Sequence, residues 1–134
     1  MFLVFQVDTL ISDVYYSKIY DFMQYDYVGA PWKEINTVGN GGLSLRRKSK
    51  MLEILDKCEY KNNINEDIYF SFACDGVTLN KPEYETSKQF SVETIYNDKS
   101  FGVHKPWLYN SPQDLDKIMK FIPELNELFL LNQE

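Results

Sequence analysis

The run Phe2-Leu-Val-Phe-Gln-Val7 constrains this chain most. It is apolar and β-rich, broken only by Gln6. That is the pattern of a strand buried on both faces of a mostly parallel sheet, and such a strand needs neighbours on both sides. With 134 residues the chain fits one domain that buries about two thirds of its unfolded surface. Hydrophobic residues at 44% and aromatics at 16% exclude a disordered chain. Fourteen basic residues against twenty acidic ones give a net charge of −6, a field that repels phosphate backbones and argues against a nucleic-acid binder. The basic residues cluster only at Arg46, Arg47, Lys48 and Lys50, which read as the solvated start of a helix.

The apolar opening lacks a basic leader and meets Gln6 and Asp8 too soon for a signal peptide or a membrane span. The expectation is a soluble, cytoplasmic chain with no membrane span. Cys58 and Cys74 lie on stretches that read as helical and match no CxxC or zinc-ligand spacing. They are expected to be reduced core thiols.

After the first strand, Asp13 can cap a helix in which Val14, Tyr15, Ile19, Phe22 and Met23 recur at helical spacing. Gly39-Asn-Gly-Gly42 is a turn that leads into a short strand, Leu43 to Arg46. Met51, Leu52, Ile54, Leu55 and Cys58 then form a helical stripe. Asn65 can cap a further helix with Glu66 and Asp67 in its first turn. A helical turn over 85–89, a strand over 90–93 and an aromatic loop over 96–107 follow. Ser111 and Pro112 begin two helical segments parted by Pro123. Strands alternate with helices in the first half, so the class is α/β.

Several of these residues could carry chemistry. Asp8 ends the first strand, where open sheets place their ligand crevice; it either ligates Mg²⁺ or Mn²⁺ or caps the turn through Thr9. The glycines at 39, 41 and 42 either let backbone approach a ligand or make a plain tight turn. Glu66 and Asp67 can serve as a general base or as helix-capping carboxylates. His104, the single histidine, is either structural or a metal ligand beside Lys105, which could meet a phosphate.

The blocks Phe5-Gln-Val-Asp-Thr9, Tyr25-Asp-Tyr-Val-Gly-Ala-Pro-Trp32, Val38-Gly-Asn-Gly-Gly-Leu-Ser-Leu-Arg46, Asn65-Glu-Asp-Ile-Tyr-Phe70, Phe90-Ser-Val-Glu93 and Phe101-Gly-Val-His-Lys-Pro-Trp107 occur in that order. Together they resemble a glycosyltransferase-like domain family, itself similar to the metal-dependent nucleotide-sugar transferases of the GT-A fold. The resemblance implies a partial GT-A-like, Rossmann-like mixed sheet with flanking helices over residues 1–110, without the usual N-terminal nucleotide-binding half. A C-terminal helical segment, 111–134, would pack on it.

The resemblance also implies site residues. Gln6-Val7-Asp8 falls where the DxD metal motif would be, with Asp8 as its second acid and Gln6 in place of the first. An amide oxygen is a poorer ligand for a hard cation than a carboxylate. Asp8 and His104 would bind Mn²⁺ or Mg²⁺, and Asp67 or Glu66 would be the catalytic base. Gln6, Asn40, Gly41, Gly42 and Lys105 would face substrate or diphosphate, as would the aromatic residues Trp32 and Trp107. The implied activity is sugar transfer from a nucleotide sugar to a glycan or protein hydroxyl. The alternative is a non-catalytic remnant that acts as a saccharide-binding or partner subunit. An uncovered first strand further leads us to expect a homo-oligomer or a separate chain lying over it.

Overall fold

The computed structural model describes residues 1–35 and 37–133. It is a mixed α/β fold built on three small sheets. In the first, β1 (Phe2–Phe5) and β3 (Tyr27–Gly29) flank β6 (Leu43–Arg46), both antiparallel to it. In the second, β8 (Gly102–His104) is central, antiparallel to β2 (Thr9–Ile11) and parallel to β7 (Ser91–Val92). The third is a two-stranded ribbon, β4 (Pro31–Trp32) with β5 (Thr37–Val38).

The first strand therefore differs from its expectation. β1 is an antiparallel edge strand rather than an interior strand of a parallel sheet. Phe5 remains 67% exposed and Val7 88% exposed. The apolar pattern of residues 2–7 thus marks surface that this chain leaves uncovered, not a strand enclosed on two faces. The expected helix over 14–23 is a 3₁₀ segment, Tyr16–Phe22. Its entry is held by Ser12, not Asp13: the buried Ser12 Oγ accepts from the amides of Val14 and Tyr15, both at 3.2 Å.

Helix α1 (Lys48–Lys57) buries Met51 and Ile54, while Leu52 and Leu55 stay exposed. Helix α2 (Glu66–Phe72) carries the acidic pair in its first turn. The two helices pack with Tyr27, Cys58, Tyr69 and Val77 into one core cluster. Their far ends are joined, because Cys58 and Cys74 form a disulfide. That corrects the expectation of free thiols. Packing α1 against α2 brings the two Cα atoms to 5.6 Å, within bonding reach.

A second cluster joins Phe22, Val28, Leu43, Leu45, Phe90 and Phe101 beneath the first sheet. Beyond the single-turn α3 (Tyr84–Ser87), the chain ends in α4 (Pro112–Ile118) and α5 (Leu125–Leu131). Ser111 caps α4 as expected, its hydroxyl accepting from the Asp114 amide at 3.2 Å. Ile118, Phe121, Ile122 and Leu125 pack on Val92 and Val103 of the second sheet. The C-terminal segment thus covers β7 and β8 and not β1; residue 134 of that segment lies outside the described residues. No helix among the described residues is long and apolar enough to cross a membrane.

Candidate functional site

The second sheet assembles a buried polar cluster. Its register sets Thr9 opposite His104, and the Lys105 amide donates to the Asp8 carbonyl at 3.2 Å. Asp8 and His104, 96 positions apart in number, are thereby neighbours. His104 Nε2 lies 3.1 Å from Asp8 Oδ1 and 2.9 Å from Gln6 Oε1. Parallel pairing of β7 with β8 brings Glu93 beside the same ring, its Oε1 3.3 Å from Nδ1. Lys105 Nζ sits 2.9 Å from Asp8 Oδ2. Asp8 is 4% exposed and His104 5%. The cluster lies at the carboxyl ends of the parallel strands, where open sheets place ligands.

The glycine turn closes over this cluster. A Cβ on Gly42 would overlap the His104 imidazole, so the missing side chain is what lets His104 pack under the turn. Thr9 Oγ1 donates to the Gly42 carbonyl at 3.2 Å and the Gln6 amide donates to it at 2.9 Å, tying the chain around Asp8 to the turn. A Cβ on Gly41 would meet Asp67 Cβ at 2.7 Å. The glycines therefore admit the chain's own side chains closely. Asn40 is buried, and its Oδ1 accepts from the Gly42 amide at 2.9 Å, an Asx turn that fixes the shelf rather than an open contact for substrate.

Above the shelf lies a cleft of about 250 Å³ lined by Gln6, Gly41, Gly42, Asn65, Glu66 and Asp67. The two acids differ within it. Glu66 pairs with Arg46 through both guanidinium ends, Nη1 to Oε1 and Nη2 to Oε2 at 3.3 Å. Among the described residues Asp67 makes no salt bridge, though its charge acts on the nearby Arg46; its Oδ1 accepts from the Ile68 amide at 2.8 Å.

Arg46 is a correction to the reading of a solvated basic run, since it is 3% exposed. Its guanidinium lies over the rings of Tyr27, at 5.0 Å, and Phe70, at 5.5 Å, and Nε donates to Ser44 Oγ at 2.9 Å. Burial alone would lower its pKa, but the hydrogen bond to Glu66 and the charges around it hold the pKa above the ordinary value. Alternation along β6 is the signal that places Ser44 and Arg46 on one face. Lys81 is a further anchor: its ammonium donates to the carbonyls of Val38, at 3.0 Å, and Ser71, at 2.8 Å, so it ties β5 to α2, and burial lowers its pKa.

The structure thus gathers Gln6, Asp8, Gly41, Gly42, Glu66, Asp67, His104 and Lys105 in one region. Trp32 stands at its side: it stacks on Phe72 with centroids 6.1 Å apart, and a Cβ on Gly39 would meet its ring at 2.7 Å. Trp107 lies elsewhere, edge-on to Phe129 in a pocket between α4 and α5. Glu93 and Arg46 are the site residues that the sequence alone did not single out.

A family model spans this whole cluster up to His104. The chain belongs to a family of proteins of unknown function, DUF5672, whose model matches residues 1–104. In this DUF5672 chain, Lys105 is the first residue past the matched span. No curated protein and no solved structure matches it.

The donor set can be tested against a divalent cation. Among the described residues, no three His, Cys, Asp or Glu side chains are grouped to hold a metal. Glu93 faces Nδ1, the far side of the ring, and so cannot share an ion held at Nε2. What remains is Asp8 Oδ1, His104 Nε2 and Gln6 Oε1. Asp8 Oδ1 is buried and makes no hydrogen bond. The 2.9 Å separation of His104 Nε2 and Gln6 Oε1 is a hydrogen-bond distance, a contact that an ion held at Nε2 would have to replace. A cation held there would have few protein ligands and would need its other positions filled from outside the chain.

Proposed function

We propose that the protein is a metal-dependent glycosyltransferase that moves a sugar from a nucleotide-sugar donor to an acceptor hydroxyl, and that its sheets form the metal and acceptor side of a GT-A-like domain. One observation carries the reading: a buried Asp8 oxygen without a hydrogen bond stands beside His104 and Gln6, behind a glycine shelf that lines an open cleft together with Asp67 of α2. In this reading Asp67 takes the proton of the acceptor hydroxyl as that oxygen bonds to the anomeric carbon. The carbon–oxygen bond to the diphosphate breaks, and its electron pair leaves on the diphosphate oxygen. Lys105 meets the charge that develops there. Mn²⁺ or Mg²⁺ held by Asp8, His104 and Gln6 would supply further neutralisation of that leaving group. Glu66, engaged by Arg46, holds the first turn of α2 in place and leaves Asp67 to act as the base.

The Trp32–Phe72 stack beside the shelf suits a sugar ring and favours a glycan acceptor. It also carries the second reading, a saccharide-binding or partner subunit that transfers nothing. The Cys58–Cys74 bond favours an oxidising compartment over the cytoplasm expected from sequence. Hydrolysis of UDP-, GDP- and CMP-sugars with Mn²⁺ tests the enzyme reading. Turnover that falls by roughly 10² to 10⁴ in Asp67→Asn, with folding and nucleotide binding retained, is the expected result. Glycan binding with neither nucleotide binding nor turnover would favour the second reading.

A further inference from the structure

Asp8 is a carboxylate with two different neighbours. Oδ1 faces His104 without a hydrogen bond, and Oδ2 lies 2.9 Å from the Lys105 ammonium. The Asp8 side chain is 6% exposed and that of Lys105 38% exposed. A buried carboxylate without a neighbouring cation is costly, and Lys105 is the cation that the structure sets against Asp8. A divalent cation held at the same carboxylate would repel that ammonium. The ammonium has somewhere to go. Lys105 has φ 43° and ψ 41°, in the left-handed region, in the turn between β8 and the Pro106–Leu108 3₁₀ segment. Its half-exposed stem can rotate outward from there while the Lys105 amide keeps its bond to the Asp8 carbonyl.

We infer that Lys105 is the resident counter-ion of Asp8, and that a divalent cation and a diphosphate enter as a linked pair: the cation displaces the ammonium from Asp8, and the released ammonium turns to the diphosphate. This rests on the transferase reading and deepens it, since it makes Lys105 a competitor of the metal as well as a phosphate contact. The linkage is reciprocal, with a coupling of about 5- to 150-fold as the usual range. A purely structural ion pair would show no such behaviour. Removing the Lys105 charge should therefore move the two ligands in opposite directions, tightening the cation and weakening the anion.

The test titrates Mn²⁺ alone into the full chain, reading free Mn²⁺ by electron paramagnetic resonance, and titrates UDP alone by calorimetry. Wild type is compared with Lys105→Met, Lys105→Gln and the charge-retaining Lys105→Arg; two neutral variants guard against a folding failure in one. The expected result is Mn²⁺ affinity raised at least about fivefold in the neutral variants and restored towards wild type in Lys105→Arg, with UDP affinity lowered in the neutral variants. Unchanged or weaker Mn²⁺ binding in folded neutral variants would overturn the exchange while leaving the metal site standing. Absence of Mn²⁺ binding in every variant, with or without UDP, would overturn the exchange together with the metal-dependent reading beneath it.

Discussion

Glu66 and Asp67 are adjacent carboxylates with different work to do. Glu66 is 55% exposed yet pairs with the buried Arg46 guanidinium, whose rim it neutralises. Water screens the acid's outer side, so the pair contributes less than a fully buried one, but removing the acid leaves a buried cation short of its partner. Glu66→Gln should therefore lower stability by about 1–2 kcal/mol in urea denaturation. Asp67→Asn, which breaks no salt bridge among the described residues, should stay within about 0.5 kcal/mol of wild type. Equal losses in both would mean that Asp67 is a structural cap. The sequence presents the two acids as equivalent because both suit the first turn of a helix; only the burial of Arg46 tells them apart. Asp8 and His104 were legible as a pair through block resemblance, and the register of β2 with β8 supplies the physical reason they meet. Glu93 was not singled out because a carboxylate at a strand end has no local mark of what faces it.

Among the elements, the helices with clear apolar spacing and the strand after the glycine turn were readable from local pattern. β8 was not. Gly102-Val-His104 is three residues long, between an aromatic residue and Lys105-Pro106, and reads as loop. Its strand character comes from long-range pairing with β2 and β7, which no local window contains. The disulfide was likewise hidden, because two cysteines 16 positions apart have no diagnostic spacing until α1 and α2 pack. It closes a loop that contains all of α2 and so the acidic pair. Reduction, or a Cys58→Ser/Cys74→Ser double variant, should lower stability by about 3 kcal/mol. Hydrogen exchange should quicken first across residues 58–74. An unchanged denaturation midpoint after full reduction would show that packing alone holds α2.

At the scale of the whole molecule, the helices cover the inner sheets and leave β1 open. α4 and α5 pack on β7 and β8, while β1 keeps its outer backbone edge unpaired among the described residues and shows Phe2 and Phe5 to solvent, with Val7 exposed just beyond it. Helices do not supply the ladder of hydrogen bonds that such an edge lacks. We expect light scattering from micromolar upward to show self-association; a monomer throughout, with β1 amides protected from exchange, would show that the edge needs no second strand. The site lies at the junction of the glycine shelf with β2, β7 and β8, and Gln6 and Asp8 join it directly after β1. Its central claim is that Asp8 and His104 hold a divalent cation for a nucleotide-sugar diphosphate. The most direct measurement is a thermal-shift panel of UDP-, GDP- and CMP-sugars with and without Mn²⁺, on wild type and on Asp8→Asn. A donor at 100 times its dissociation constant adds about 2.7 kcal/mol, so the account predicts a rise of several degrees in Tm for one donor class, dependent on Mn²⁺ and lost in Asp8→Asn. No shift with any donor, or a shift that Asp8→Asn retains in full, would contradict it.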